Sequence, residues 1–182
     1  MPEELPTFLY HPDPLATGSV AESAAICVCC GRPRGFAYTG PIYAEAELAA
    51  ICPWCIADGS AHSKFGACFT DEAGIGDYGA WDAVSESVIT RVAHRTPGFS
   101  GWQQERWWTH CGDAGQFIGA VGCQELKSHG PQAIAAIRED TGLSEGPQWD
   151  GCLSALDKEK GPTAYLFRCR KCGRIGGYQD CH

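Results

Sequence analysis

The sequence predicts a small mixed α+β domain with zinc-knuckle or zinc-ribbon-like elements and few short helices. Three observations lead there. Twelve of the 182 residues are cysteine, and six of them form three CxxC pairs: Cys27/Cys30, Cys52/Cys55 and Cys169/Cys172. Helical periodicity is confined to two short stretches. Much of the rest alternates aromatic or β-branched residues with glycine, the composition of short strands joined by turns.

Taken in order, residues 1–25 carry prolines at 2, 6, 12 and 14, which fix an extended or turning path without a helix. "PTFLY" reads as one edge strand. From Cys27 to Tyr43 the pattern is a turn followed by a hairpin. Gly31, Gly35 and Gly40 supply turns there, and Phe36, Tyr38, Ile42 and Tyr43 supply strand side chains. "AEAELAAICPWC" leads into the second pair, where Pro53 favours a helix start.

In "WDAVSESVITRVAHR" (81–95), Val84, Val88, Ile89 and Val92 fall at helical spacing, and "TPGF" ends the helix. "GWQQERWWTHCGDAGQFIGAVG" reads as strands with turns. "GPQAIAAIREDTG" is a short helix with Pro131 in its first turn, Ile134 and Ile137 on one face and Gly142 beyond its end. The tail "TAYLFRCRKCGRIGGYQDCH" is strand, CxxCG turn, strand. These elements form one domain over 1–182. It carries a zinc-binding lobe around 26–66 and a second cysteine-knuckle lobe formed by 105–123 and 163–182.

Apolar content of 44% and charged content of 20% describe a globular chain with a real core, not a disordered one. The amino-terminal stretch has acids and prolines where a secretory signal needs a basic start and an apolar run. No segment approaches the ~20 apolar residues of a membrane-spanning helix. The expected location is therefore the cytoplasm, where thiols stay reduced and cysteine pairs serve metals or catalysis. The net charge of −8 repels phosphate backbones and argues against a nucleic-acid partner.

The first two pairs, with 21 residues between them, are the sharpest signal. A CxxC turn lets two thiolates reach one tetrahedral ion at about 2.3 Å while backbone N–H groups point at the sulfurs. Cys27, Cys30, Cys52 and Cys55 are the expected zinc ligands, with Cys29 the alternative to Cys27. Gly31 permits the left-handed closure of the first turn. Arg32 and Arg34 offset the thiolate charge, and a helix starting at Pro53 stabilises thiolates at its N-terminus. A thioredoxin-like redox pair would need a βαβ context and no upstream CxxC.

Cys169 and Cys172 call for partners in a second site. Cys111 is the first choice and Cys181 the next, with His110, Cys123 or a water as alternatives; Cys152 and His182 complete the candidates. In an extended segment His110 and Cys111 point to opposite faces, which sets them apart as ligands of one ion. A water in the fourth position would make this zinc catalytic in type.

Other constellations have simpler readings. His11 and Asp13 in "HPDP" form an acid–base pair or, more simply, a rigid surface turn. His110, Cys111 and Asp113 are the residue types of a cysteine nucleophile with its base, but neighbouring side chains diverge and a zinc-bound thiolate does not attack. Asp71, Glu72 and Asp77 among glycines suit a hard cation or a solvated loop. Trp102, Trp107 and Trp108 are a stacking platform or core. No Walker loop, HExxH or GxSxG element is present.

Four segments together resemble the bacterial CbrC family, named for a colicin E2 tolerance phenotype. They are "LPTFLYHPDPLATGS" (5–19), "CPWCIADGSAHSKF" (52–65), "RTPGFSGWQQERWWTHCGDAGQFIGAVG" (95–122) and "AYLFRCRKCG" (164–173). The resemblance runs nearly end to end and implies a soluble bacterial protein with a phenotype but no established chemistry. It also implies a second cysteine shortly after Cys111, where this chain has Gly115.

Three functional readings follow. One is an interaction protein, with a protein partner, stabilised by one or two structural Zn2+. Another is a zinc-dependent hydrolase with an open site at Cys111, Cys169 and Cys172. The third is nucleic-acid binding through the basic strip Arg168–Arg174.

Overall fold

A computed structural model describes residues 4–181. Its centre is a three-stranded antiparallel sheet in the order β5 (Gln116–Val121), β6 (Thr163–Arg168), β7 (Ile175–Asp180). Five consecutive residues of β6, Thr163 to Phe167, are buried, the mark of a central strand covered on both faces. Because side chains alternate, Tyr165 and Phe167 enter one apolar cluster and Ala164 and Leu166 enter another. The sheet is thus the wall between two cores.

On one face lie α4 (Cys123–Ser128), α5 (Pro131–Thr141) and α6 (Pro147–Ala155). They contribute Leu126, Ala133, Ile137 and Trp149. The other face, which includes Phe117, packs on α3 (Glu86–Arg95) through Val92 and Ala93, and on an aromatic group of Phe99, Trp107 and Trp108. Trp107 is fully buried and donates its indole N–H to the Gly115 carbonyl, 2.9 Å. The pairing an indole needs inside a core is therefore supplied by backbone.

A third core gathers Ile51, Ile56, Phe69 and the thiols of Cys27, Cys52 and Cys55. Its frame is a two-stranded ribbon, β1 (Val20–Glu22) with β2 (Phe36–Tyr38), together with two short helices, α1 (Pro53–Ala57) and α2 (Ser60–Phe65). The mixed α+β class and the small scale of the elements agree with the sequence. So do the helix at 131–141, the hairpin around Cys169–Cys172 and the helix start at Pro53.

Two expectations are corrected. "PTFLY" is irregular, with a bend at Leu9 and Tyr10, and is no strand: Phe8 and Tyr10 are buried in different cores, and the segment is held by side chains. Its backbone link is the Tyr10 carbonyl, which accepts from Phe117 N–H at 2.8 Å. Pro6, Pro12 and Pro14 remove the donors a ladder would need. Likewise, Phe36–Tyr38 does not fold back within its own segment. It pairs with β1, upstream of the first cysteines, because the cysteine knuckle itself forms the connection between the two strands.

Candidate metal centres

The two terminal-facing CxxC segments, CVCCGR and CRKCGR, fold alike. Gly31 N–H donates to the Cys27 carbonyl (2.8 Å) and Cys27 N–H to the Arg32 carbonyl (3.0 Å). In the later segment Gly173 N–H donates to the Cys169 carbonyl (2.9 Å) and Cys169 N–H to the Arg174 carbonyl (2.8 Å). Gly31 and Gly173 both sit at positive φ, 70° and 76°, where a side chain would be strained. An antiparallel bridge flanks each turn, Ile26 with Pro33 and Arg168 with Ile175. These are two copies of one knuckle.

At the first knuckle, Cys27, Cys30, Cys52 and Cys55 place their sulfurs within 4.8 Å of one another. The Sγ–Sγ separations are 3.8 Å for Cys27–Cys55, 3.9 Å for Cys30–Cys52 and 3.5 Å for Cys52–Cys55. A tetrahedron of sulfurs at about 2.3 Å from zinc has edges of about 3.8 Å, whereas a disulfide requires about 2.05 Å. All twelve cysteines are unbonded to one another. Cys52 is the N-cap residue of α1, and its N–H donates to Cys27 Sγ at 3.3 Å. Cys29 lies 3.5 Å from the Ser60 hydroxyl and outside the four-sulfur group, so the geometry takes Cys27.

Burial raises the Cys30 thiol, but the Arg32 N–H and the thiols of Cys55, Cys27 and Cys52 outweigh it and bring it down to about 7. Burial pushes Cys52 up to about 11 and Cys55 well up. One thiolate thus forms near neutrality, and Cys52 and Cys55 need a cation beside them, so that loading an ion releases protons.

The second set is His110, Cys111, Cys169 and Cys172, again with donor atoms within 4.8 Å. His110 Nδ1 lies 3.2 Å from Cys111 Sγ and 3.5 Å from Cys172 Sγ, close to the nitrogen–sulfur edge of about 3.6 Å in a tetrahedral zinc site. The expectation that His110 and Cys111 diverge is overturned by the backbone. His110 enters and Cys111 opens the turn joining β3 (Thr109–His110) to β4 (Asp113–Ala114), in which His110 pairs with Asp113. Both central residues, Cys111 and Gly112, have positive φ, 57° and 65°, as the tight primed hairpin turn requires. The chain is not extended there, and the two side chains converge.

Cys181 is not among these donors. It follows β7 at the end where Asp180 pairs with Thr163. Six residues of strand separate it from the knuckle, on the order of 20 Å. Cys123 opens α4, past Val121, which pairs with Ala164 at that same far end; Cys152 lies on α6. His182 lies outside the described residues.

Supporting contacts orient the second set. Trp108 stacks on the His110 ring, with centroids 5.2 Å apart and planes 8° from parallel. Lys171 donates to the Cys111 carbonyl, 2.8 Å. Buried Asp113 accepts from Tyr10 OH at 2.8 Å and from Arg170 at 2.6 Å, so the carboxylate of "HCGD" braces the knuckle and does not serve as a base partner. Burial raises the Cys169 thiol, but the Cys172 N–H, His110, the Lys171 N–H and the Cys172 thiol bring it down to about 6. Cys111 is pushed up to about 11, by desolvation and then by the Cys172 and Cys169 thiols.

The remaining candidates resolve simply. In "HPDP", Pro12 and Asp13 are exposed at a surface turn, whereas His11 is fully buried. Its Nδ1–H donates to the Pro97 carbonyl (2.7 Å), which leaves Nε2 to accept from the Thr17 hydroxyl (2.6 Å). Asp71 caps a one-turn helix, Glu72 pairs with His94 and Asp77 with Arg106. Trp107 and Trp108 are core, with Trp102 at the surface. In the basic strip, Arg170 pairs with Asp113 and Arg174 with Glu139. Among the described residues no helix is long and apolar enough to cross a membrane.

Fold and site together define a class: a cysteine-rich α+β protein whose two knuckles each gather four thiol or imidazole donors at the spacing of a tetrahedral metal shell. Residues 5–181 match the model of the uncharacterised protein family UPF0167, and the chain belongs to that family. It is similar to UPF0167 proteins of Mycobacterium bovis and Mycobacterium tuberculosis, each 47% identical over 185 residues that cover 98% of this chain and 95% of the relative. It is also similar to a UPF0167 protein of Pseudomonas aeruginosa, 42% identical over 173 residues and 93% of each chain. No solved structure matches it.

Proposed function

We propose that this chain is a structural-zinc protein of the CbrC type, an interaction or colicin-tolerance factor working in the reducing cytoplasm through a protein-binding surface. The observation that carries the zinc reading is the sulfur tetrahedron of Cys27, Cys30, Cys52 and Cys55, with edges of 3.5–3.9 Å. Its ligands are part of a hydrophobic core, so an ion there would tie two chain segments together and leave no position for a substrate. Zinc in such sites contributes on the order of 10 kcal/mol to folding.

The hydrolase alternative drew its support from an incomplete second set. His110 supplies a fourth protein donor there, which favours two closed, structural ions. Pairing of Arg170 and Arg174 with carboxylates, on a chain of net charge −8, weighs against nucleic acid. A protein-binding surface is supported by the first knuckle, whose rim exposes Ile26 and Val28 beside Cys27. Apolar side chains on a rigid turn are suited to protein contact.

The test is metal counting with absorption spectroscopy on protein purified under reducing conditions, together with hydrolysis of ester, amide and phosphate probes. Two zinc ions, one with four sulfurs and one with three sulfurs and a nitrogen, and no zinc-dependent turnover, are expected. Turnover that follows zinc and disappears in Cys172→Ser would overturn the structural reading.

A further inference from the structure

His62, Cys68 and His94 lie apart from both knuckles, and one donor atom of each falls within 4.8 Å of the other two. No sequence spacing announces them. His62 is in the last turn of α2 and His94 in the last turn of α3. Cys68 sits between them on a segment tied down on both sides. Its backbone exchanges two hydrogen bonds with Tyr43 (2.8 and 2.9 Å), and the next residue, Phe69, donates to the Ala93 carbonyl at 2.7 Å. Gly66, left-handed at φ 63°, closes α2 and turns the chain so that Cys68 comes back beneath His62. All three residues are half-buried.

The two imidazoles stack, with centroids 3.5 Å apart and planes 8° from parallel. Cys68 Sγ lies 4.0 Å from His62 Nδ1. His94 Nε2 donates to Glu72 Oε1 at 2.7 Å, the carboxylate–histidine arrangement that fixes a ligand's tautomer and leaves the other ring nitrogen with its lone pair. His62 Nδ1 also lies 3.1 Å from the Ala67 carbonyl, a hydrogen bond that an ion bound through that nitrogen would replace. The surroundings are negative: besides burial, the Glu72 and Asp71 carboxylates raise the Cys68 thiol, and a cation at this point would relieve that repulsion.

We propose that His62, Cys68 and His94 form a third metal site, of two-nitrogen, one-sulfur type, for a borderline divalent ion such as Zn2+ or Co2+ with water in the fourth position. Imidazole and thiolate select this class of ion over Mg2+ or Ca2+, which prefer oxygen. With three protein donors the site is open and exchangeable, unlike the four-donor knuckles. Glu72 is a positioning residue for His94.

The test is a titration with Co2+ of protein carrying two zinc equivalents, enough for the knuckles alone, read by the thiolate-to-cobalt absorption band and by equilibrium dialysis, in wild type, Cys68→Ser, His94→Gln and Glu72→Gln. Wild type is expected to bind one equivalent more than Cys68→Ser and His94→Gln. The band intensity contributed by that extra equivalent should be missing in Cys68→Ser, and Glu72→Gln should weaken binding about 10- to 100-fold. Because the readout is a difference between wild type and variants, it stands whether or not the knuckles carry zinc. Unfolding midpoints of the metal-free chains check that each variant folds, and Cys68→Ser and His94→Gln are independent of each other. Equal stoichiometry in wild type and both ligand variants, or a wild-type band no stronger than that of Cys68→Ser, overturns the proposal.

Discussion

Cys111 is a non-glycine residue held at φ 57°. That conformation costs an L-residue about 1–2 kcal/mol, and a hairpin turn of this type ordinarily carries Asn-Gly or Asp-Gly at its two centres. A cysteine in the first position forgoes turn stability for a sulfur aimed at the second set. Replacing it with asparagine should therefore leave the metal-free protein at least as stable, by denaturant unfolding, while removing the metal equivalent of the second set. His11 gives a separate residue-scale prediction. Burial lowers it from 6.5 to about 4, against the opposing pull of the Pro97 carbonyl and Asp13. Between those values the unfolded chain binds the extra proton, so stability is complete above pH 6.5 and is lost as pH falls toward 4. Relative to His11→Asn, wild type should lose on the order of 3 kcal/mol across that window in urea unfolding. Zinc loss in acid affects both chains and cancels in the difference.

The element that joins the second set to the central sheet is the β6–β7 hairpin. Gly176 on β7 faces the Trp108 ring so closely that an added Cβ would fall inside it, and Trp108 in turn stacks on His110. Gly176→Ala should cost about 1–3 kcal/mol by overpacking. It should also displace His110, so that the second ion is released to a chelator before the first. Thermal unfolding and chelator-competition rates measure the two effects. At this scale the sequence was readable where chemistry is local. Pro131 and Gly142 marked both ends of α5, Pro53 marked the start of α1, and the glycines after Cys30 and Cys172 marked the knuckle turns. It was unreadable where tertiary contact decides. β1 is three residues long and exists because β2 pairs with it. The His110–Cys111 turn has no Asn-Gly signature, so a strand pattern through "ERWWTHC" gave the opposite side-chain directions. α4 and α6 show little periodicity and are held by packing against the sheet.

For the whole molecule, the three cores explain why cysteine is so abundant in a chain with few long elements. The sheet and its helices bury Ile137, Leu166 and Tyr178 completely, whereas the segment from Val20 to Phe69 has only a three-residue ribbon and two one-turn helices. Its core includes the thiols themselves, and an ion among them would link the first knuckle to α1. Six of the eight ligands expected from spacing alone, and a seventh from the strand preceding it, stand where the donor sets form, because a CxxC turn is geometry written locally. The eighth, Cys181, lies apart from them because proximity in sequence to Cys172 does not survive a six-residue strand running the other way. His62, Cys68 and His94 could not be found at all from spacing, since three different elements bring them together.

The most direct measurement is anomalous diffraction at the zinc edge from crystals of protein purified under reducing conditions. The account predicts one peak about 2.3 Å from each of the four sulfurs of Cys27, Cys30, Cys52 and Cys55. A folded protein with no peak there, or a bond of about 2.05 Å between Cys52 and Cys55, would contradict it.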